Sequence, residues 1–520
     1  MKNNKFLKNS IIVMTLIIIG KVLALVRDSL IAAKFGTTYV TDVYNFSLGV
    51  VYLLTTISYG ITTTFIPVHS EYIEKKGVEK SRDFVNNIIN VTSAATIIVT
   101  IVLLLFSKPI IDIFAPGFKH DINAYNNSIL ILRIMLGSLL FISIQSVIAG
   151  VLQVHKQFLE PAAMAAASNI VYIAYLLLLT RKYGIVGFAG ATVLAFFMQL
   201  IINIPKYRKL GYKYKPIFNI REKELKTIFT LMIPVVISTS LIQLNMFINR
   251  SFATNIYAGA VTVLEFANKI NTLAYEVFAI GIAMIIFPTL AENIAKGDIK
   301  EYKSALNKGI NTILLIMVPA AFAIAMLRFP LITVIFKRGA FGEKSLFLTS
   351  SALLFFCPAM IAYSLRDILN KAFYAVKDTK TPMINSFIGI ILNVILNMVF
   401  ARTMGVAGLT LSTSIASAIT AILMLLGINK KLQGINISKT LAALARITLA
   451  STIMAACIFF TNNLCLARFG SGINGSIISI LASFCIGTGV YFFGIYVLKV
   501  EEFHWLVNSL IGKMKKERAV

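Results

Sequence analysis

The sequence predicts an all-α polytopic membrane protein with about 14 transmembrane helices. We expect two parallel six-helix repeats, which form an N-lobe and a C-lobe, followed by two C-terminal helices. Hydrophobic residues make up 58% of the 520-residue chain and charged residues only 14%, and the mean hydropathy is +0.82. Soluble domains carry about a quarter charged residues. Apolar runs of roughly 18 to 25 residues recur, each long enough to cross about 30 Å of hydrocarbon as a helix.

A fixed offset of 221 positions relates the first part of the chain to the second. The pairs at this offset include Pro67 and Pro288, Pro109 and Pro330, Pro161 and Pro382, Gly184 and Gly405, and Gly187 and Gly408. Such self-similarity indicates a tandem duplication. We therefore expect an N-lobe over 1–220, a C-lobe over 221–430, and a C-terminal part over 431–520 that holds two further helices and a cytoplasmic tail.

The apolar runs define fourteen predicted spans, six in each repeat and two after them. They lie near 10–33, 43–66, 86–106, 127–153, 160–180, 185–204, 228–253, 259–287, 306–327, 346–371, 382–401, 406–427, 440–461 and 475–498. Because six is an even number, the second repeat enters the membrane from the same side as the first. The repeats are therefore parallel rather than inverted.

The distribution of Lys and Arg predicts the orientation, because these residues are retained on the cytoplasmic face. Alternate segments, counted from the N-terminus, hold about 30 of them, and the opposite segments hold about 10. Both termini are therefore expected in the cytoplasm. The net charge of +27 follows from this bias and from affinity for anionic lipid headgroups; nucleic-acid binding explains it poorly.

Several charged residues lie within or beside predicted spans, where each would cost roughly 2.5 to 3.5 kcal/mol if it faced lipid at mid-depth. They fall in the first two spans of each repeat, so we expect them to line one water-accessible cavity. Its cations suit an anionic headgroup, since a guanidinium can bind phosphate through two hydrogen bonds. Structural ion pairs are the alternative for neighbours such as Arg27 and Asp28. The predicted substrate-binding residues are Lys21, Arg27, Asp28, Asp42, Arg250 and Lys269, with Glu265 and Glu276 nearby.

Short motifs occur along nearly the whole chain. They include Gly20-Lys-Val-Leu-Ala-Leu-Val-Arg-Asp28, Phe65-Ile-Pro-Val68, Phe114-Ala-Pro-Gly-Phe118, Glu265-Phe-Ala-Asn-Lys269 and Phe287-Pro-Thr-Leu290. Together these motifs resemble the MurJ/MviN family of lipid II flippases, within the multidrug/oligosaccharidyl-lipid/polysaccharide exporter superfamily. The two helices predicted after the twelfth span also fit this family.

The resemblance implies a flippase of the bacterial cytoplasmic (inner) membrane. It would move undecaprenyl-pyrophosphate-linked peptidoglycan precursor, lipid II, from the inner to the outer leaflet by alternating access. Arg27 and Asp28 match the family's Arg-Asp pair in the first helix, Lys21 a usual basic residue, and Asp42 the acid after the first external turn. Lys269 stands where the family has a central arginine. The implied partners are the lipid-linked substrate, membrane lipids and peptidoglycan glycosyltransferases.

Sodium coupling is a weaker expectation from the same resemblance. Some members hold sodium with acids in two spans and a threonine in a third, and the matching positions here are Asn249, Asn393, Asn397 and Thr413. Amide carbonyls bind a hard cation, but without carboxylates its charge is poorly compensated. We therefore expect no cofactor, and membrane potential is the better candidate for the driving force.

Other classes of protein find little support in the sequence. No G-x-x-x-x-G-K-[ST] motif for ATP is present, and no Ser/His/Asp or paired-carboxylate arrangement indicates an enzyme. The four His and four Cys show no metal-ligand spacing. Two alternatives stay open: a flippase for another polyprenyl-linked glycan of the capsule, teichoic acid or O-antigen type, and a cation-coupled multidrug exporter. The exporter would need acidic rather than basic interior residues.

Overall fold

The computed structural model describes the backbone of residues 2–500 and Phe503, and the side chains of 11–276, 286–500 and Phe503. Within these residues the chain forms helices and no β-strand. The predicted cytoplasmic tail after Phe503 lies outside the described residues. The helices are α1 (Lys2–Phe35), α2 (Tyr39–Leu105), α3 (Ser107–Phe114), α4 (Ile122–Leu136), α5 (Ser138–Val154), α6 (Leu159–Leu178), α7 (Thr180–Lys209), α8 (Lys223–Thr254), α9 (Ala260–Ala295), α10 (Ile299–Met326), α11 (Arg328–Phe336), α12 (Glu343–Ala375), α13 (Lys380–Met404), α14 (Val406–Lys431), α15 (Ile437–Phe469) and α16 (Ile473–Val497), with a 3₁₀ helix at Pro116–His120.

Eleven helical segments of the described chain are long and apolar enough to cross a membrane. One of them, α2, has 67 residues and changes direction at Gly77, where φ is +82°, so it accommodates two of the predicted spans. All fourteen predicted spans fall on helices to within a residue or two at their ends. The all-α polytopic fold is therefore confirmed, whereas the count of fourteen crossings stays a prediction.

The helix boundaries repeat at the offset found in the sequence. Adding 221 to Lys2 at the start of α1 gives Lys223 at the start of α8, and adding it to Tyr39 of α2 gives Ala260 of α9. The starts of α3 and α11, of α4 and α12, and of α6 and α13 obey the same relation. The duplication is therefore present in the secondary structure as well as in the sequence.

Two lysines with a left-handed backbone mark one repeated turn. Lys156, after α5, has a φ of +57°, and Lys377, after α12, has a φ of +58°. This conformation costs a residue with a Cβ roughly 1–2 kcal/mol. The N–H of Lys156 donates to Gln153 O at 2.9 Å and that of Gln157 to Leu152 O at 2.8 Å. These bonds form a Schellman ending, which satisfies carbonyls at the end of the helix and offsets the strain.

Contacts divide the chain into two compact units, and unit 1 comprises Met1–Thr262 and Arg338–Phe341. In this unit α8 packs against α2. The hydroxyls of Thr56 and Ser240 lie 2.9 Å apart, and a Cβ at Gly60 would lie 2.5 Å from a methyl of Val236, so glycine permits the close approach. The buried core of the unit includes Phe65, Phe84, Ile88, Val151 and Tyr212.

Unit 2 comprises Val263–Lys337 and Gly342–Val520. Its core includes Tyr302, Leu306, Ile313, Phe373 and Ile458. The hydroxyl of Tyr491 in α16 donates to the carbonyl of Leu315 in α10 at 2.6 Å, so the C-terminal helices pack within this unit. The contact division falls after Thr262, whereas the sequence repeat restarts near 221. The boundaries 1–220, 221–430 and 431–520 therefore remain a prediction about the repeats.

Candidate functional site

Arg27 in α1 is positioned by an acid and by an aromatic ring. Its Nε and Nη2 atoms lie 2.9 and 2.8 Å from Oδ1 of Asp28. Its guanidinium carbon lies 5.3 Å from the ring centre of Tyr172 in α6, within the range of a cation–π contact. Asp28 is buried, with 6% of its surface exposed. The ion pair that the sequence offered as the alternative for these two residues is therefore present, and substrate binding by Arg27 and Asp28 stays a prediction. The Nη1 end of the guanidinium takes no part in the pair.

Asp42 in α2 caps the start of α9. Its Oδ2 accepts from the N–H of Gly259 at 2.6 Å, and its Oδ1 accepts from the N–H and hydroxyl of Thr262 at 2.8 and 2.7 Å. The carboxylate is 1% exposed. A negative charge at a helix N-terminus satisfies N–H groups that have no partner within the helix. Both oxygens of Asp42 are thus engaged by protein, and its predicted contact with substrate stays a prediction.

Arg250 in α8 occupies space that a glycine leaves in α2. It is 5% exposed, and a Cβ at Gly49 would lie 2.8 Å from both its Cδ and its Nη1. Any larger residue at position 49 would therefore displace the arginine side chain. The neighbouring Asn249, a predicted cation ligand, is also 5% exposed. Sequence reasoning placed Arg250 in the site but did not foresee this glycine.

The two lysines of the predicted site belong to different units. Lys21 of α1 lies in unit 1 and is exposed, whereas Lys269 of α9 lies in unit 2 and is half-buried. Glu265 and Glu276, also on α9 in unit 2, are half-buried. Unit 1 therefore carries the other four predicted substrate-binding residues, on α1, α2 and α8, and the shared cavity stays a prediction.

Unit 2 contains a polar cluster that sequence reasoning missed. The hydroxyl of Tyr275 in α9 donates to Oδ2 of Asp367 in α12, and Nη2 of Arg366 lies 3.4 Å from the hydroxyl of Ser386 in α13. The sequence did carry a signal for this cluster, because Arg366 and Asp367 are adjacent charged residues inside the predicted span 346–371. Charged residues within a span are candidates for function by default.

Three of the four predicted cation ligands lie in unit 2, on α13 and α14. Asn393 and Asn397 are fully buried and Thr413 is 2% exposed. The hydroxyl of Thr413 is 3.4 Å from Oδ1 of Asn393 and donates to the carbonyl of Leu409 at 2.9 Å. The described residues contain no group of three or more His, Cys, Asp or Glu side chains arranged for a metal ion. Neutral oxygens alone compensate a cation poorly, so sodium binding stays a prediction.

The fold and the buried cations together define a class of protein. A polytopic chain of two helical repeats, with an arginine largely shielded by protein on the first helix of each repeat, is typical of membrane transporters.

Comparison with known proteins identifies the family. The chain matches the lipid II flippase MurJ family over residues 31–479, and it belongs to that family. The lipid II flippase MurJ of Burkholderia cenocepacia is 25% identical over 80% of this chain and 82% of the relative. A probable lipid II flippase MurJ of Buchnera aphidicola subsp. Acyrthosiphon pisum is 29% identical over 80% of this chain and 83% of the relative.

Solved structures agree on the fold. A structure of lipid II flippase MurJ in an inward closed conformation matches with a TM-score of 0.79 at 24% identity, over 94% of this chain and 98% of that one. An inward-facing multidrug resistance MATE transporter of the MOP superfamily matches with a TM-score of 0.67 at 16% identity, over 81% of this chain and 98% of that one. The resemblance found in the sequence is confirmed.

Proposed function

We propose that this chain moves lipid II from the inner to the outer leaflet of the bacterial inner membrane by alternating access of its two repeats. The match to the lipid II flippase MurJ family over residues 31–479 carries the proposal. Membership of a transporter family also accounts for buried charges without any catalytic arrangement.

The transport problem explains why buried cations are useful. A sugar-pyrophosphate headgroup cannot cross hydrocarbon unaided, because removing even one ion from water costs several kcal/mol or more. In our proposal Arg27 and Arg250 line a hydrated cavity and bind the pyrophosphate through paired N–H donors. Lys269 contributes a charge without the guanidinium's two-pronged geometry.

The acids have supporting roles in this proposal. Asp28 fixes the guanidinium of Arg27, because two N–H donors engage one carboxylate oxygen. Asp42 caps α9, and so it joins the second helix of one repeat to the second helix of the other. Lys21 is exposed on α1 and would attract the anionic headgroup as it enters.

Orientation and coupling belong to the same proposal. Both termini lie in the cytoplasm, as the positive-inside distribution of Lys and Arg indicates. An inside-negative potential drives the anionic headgroup outward, and sodium at Asn249, Asn393, Asn397 and Thr413 is not required. Peptidoglycan glycosyltransferases consume the exported lipid II.

Complementation tests the proposal. A bacterium depleted of its own lipid II flippase should regain growth and outer-leaflet lipid II when it expresses this chain. Arg27→Ala should abolish the rescue while the protein still inserts into the membrane. Arg181→Ala is the matched control, because Arg181 is an exposed arginine of the same unit and should leave the rescue intact.

Two results would contradict this function, and a third would contradict the role of Arg27. The first is failure of the unchanged chain to restore outer-leaflet lipid II although it reaches the membrane. The second is rescue of a capsule or teichoic acid flippase mutant instead, which would identify another polyprenyl-linked glycan as the substrate. The third is full rescue by Arg27→Ala, which would assign the Arg27–Asp28 pair to packing.

A further inference from the structure

A basic cavity of about 680 Å³ lies within unit 2 and includes none of the predicted substrate-binding residues. It is bounded by the first turns of α10, the turn between α14 and α15, and the first turns of α15. No Asp or Glu occurs among its described lining residues, and five of them are cations. These are Lys300, Lys303, Lys308, Lys439 and Arg446. Cations gathered in one concave site repel one another, so a bound anion would stabilise the arrangement.

Helical spacing directs these side chains into the cavity. Lys300, Lys303 and Asn307 are three and four residues apart on α10, and Lys439 and Arg446 are seven apart on α15. Residues at such spacing share one face of a helix. The basic stripe of α10 therefore meets that of α15 across the cavity. The N-terminus of α15 adds N–H groups at one wall, which also favour an anion.

The internal duplication provides an independent pointer to a ligand. In the first repeat, Oδ1 of Asn86 accepts from the N–H of Lys215 at 3.0 Å, and its Nδ2 donates to the carbonyl of Lys213 at 3.0 Å. The residue 221 positions later is Asn307. Its Oδ1 is buried and has no hydrogen-bond partner among the described residues. The same helix face thus binds polypeptide in the first repeat and borders a cavity in the second.

The surroundings of the cavity favour a lipid over a soluble anion. On α15, Leu449 lies three residues after Arg446 and so shares a helix face with it; it is 52% exposed, as expected of a side chain that faces acyl chains. Nη1 of Arg446 donates to the carbonyl of Lys499 at 3.2 Å, which fixes the guanidinium at the cavity wall. A headgroup bound there would have its acyl chains beside an apolar helix face.

We propose that this cavity binds the headgroup of an anionic phospholipid that carries free hydroxyl groups, as phosphatidylglycerol does. The phosphate lies among the lysines and Arg446, and the side-chain amide of Asn307 turns toward the headgroup on binding, so that a headgroup hydroxyl donates to its Oδ1. Basic pockets between helices at a membrane surface are suited to such headgroups. The site is separate from lipid II transport and does not depend on the proposed function.

Native mass spectrometry of the full-length protein in detergent tests this proposal, because it shows which phospholipids stay bound. The unchanged chain should retain phosphatidylglycerol and not phosphatidylcholine. Lys303→Gln/Lys439→Gln should weaken that retention roughly tenfold or more. The control Lys380→Gln/Lys430→Gln changes the net charge equally at exposed positions outside the cavity, and it should bind like the unchanged chain. All variants should elute as folded protein on size exclusion.

The hydroxyl contact has its own test. Asn307→Ala should weaken the binding of phosphatidylglycerol, whereas the binding of phosphatidic acid, which lacks the glycerol headgroup and its alcohol hydroxyls, should be unchanged. Equal weakening of both lipids would overturn the role of Asn307.

Two further outcomes would overturn the lipid site. One is equal retention of phosphatidylglycerol by the cavity variant and the control. The other is complete displacement of the lipid by millimolar inorganic phosphate, which would mean that the cavity takes a soluble anion.

Discussion

At the scale of single residues, the shape of a cation matters as much as its charge. Arg27 engages Asp28 through two N–H groups at 2.9 and 2.8 Å, and an ammonium cannot reproduce this fork. Lys269 already provides only a point charge at its position. The two sites should therefore respond differently to exchange of Arg and Lys.

We expect Arg27→Lys to lower the rate of lipid II translocation about tenfold, because the orientation by Asp28 is lost although the charge remains. Lys269→Arg should retain or raise the rate. The translocation rates of both variants are measured as the appearance of outer-leaflet lipid II in cells depleted of their own flippase, at matched protein levels. Equal rates for Arg27→Lys and the unchanged chain would show that charge alone suffices.

Burial should decide what a helix cap contributes to stability. Asp42 is 1% exposed and accepts three hydrogen bonds at the start of α9. Asp42→Ala should lower the free energy of unfolding by roughly 2–4 kcal/mol, since buried N–H groups lose their acceptor. The exposed cap Asp121, which accepts from the N–H groups of Asn123 and Ala124, is the control.

Thermal unfolding in detergent distinguishes the two caps. Asp121→Ala should cost about 1 kcal/mol, because water can replace an exposed cap. If the two variants lower the unfolding midpoint equally, the buried cap has no special role in joining α2 to α9.

At the scale of elements, the chain between α7 and α8 is anchored by asparagines of α2. Nδ2 of Asn87 donates to Asn219 O at 2.9 Å, and Oδ1 of Asn87 accepts from Asn219 N at 2.7 Å. Asn90 donates to the carbonyls of Lys215 and Ile217, each at 2.9 Å. Tyr212 adds a hydroxyl that lies 2.9 Å from Nε2 of His155. The segment that joins the repeats is thus held along its backbone.

Asn87→Ala should release this segment locally. The N–H of Asn219 would lose its acceptor, at a cost of roughly 1–3 kcal/mol, so amide exchange over 213–222 should accelerate by about tenfold to a hundredfold. Hydrogen–deuterium exchange measures the effect, with Asn126→Ala on the exposed face of α4 as control. Unchanged exchange over 213–222 would mean that Asn86 and Asn90 suffice as anchors.

At the scale of the whole molecule, the sequence predicted what depends on local pattern and repetition. Apolar runs located the helices, and pairs such as Pro67 and Pro288 located the duplication. The sequence did not predict contacts between distant segments. Nothing in the sequence indicates that Gly49 makes room for Arg250, or that Asn86 forms hydrogen bonds with the backbone at 213–215. Such pairings depend on how helices pack, which a linear pattern does not encode.

The driving force is also a property of the whole molecule, and it distinguishes the two coupling hypotheses. Moving one elementary charge across 100 mV is worth about 2.3 kcal/mol. A pyrophosphate with two negative charges would gain about 4.6 kcal/mol on moving outward from an inside-negative cell, more than a thousandfold in equilibrium. A sodium site of neutral Asn393, Asn397 and Thr413 oxygens would contribute less.

Collapsing the potential with valinomycin and external potassium should therefore stop the appearance of outer-leaflet lipid II, whereas replacing sodium by choline should not. Thr413→Ala should behave like the exposed control Thr403→Ala. The opposite result would be transport that survives loss of the potential but stops without sodium, and that fails in Thr413→Ala but not in Thr403→Ala. This result would establish coupling to sodium.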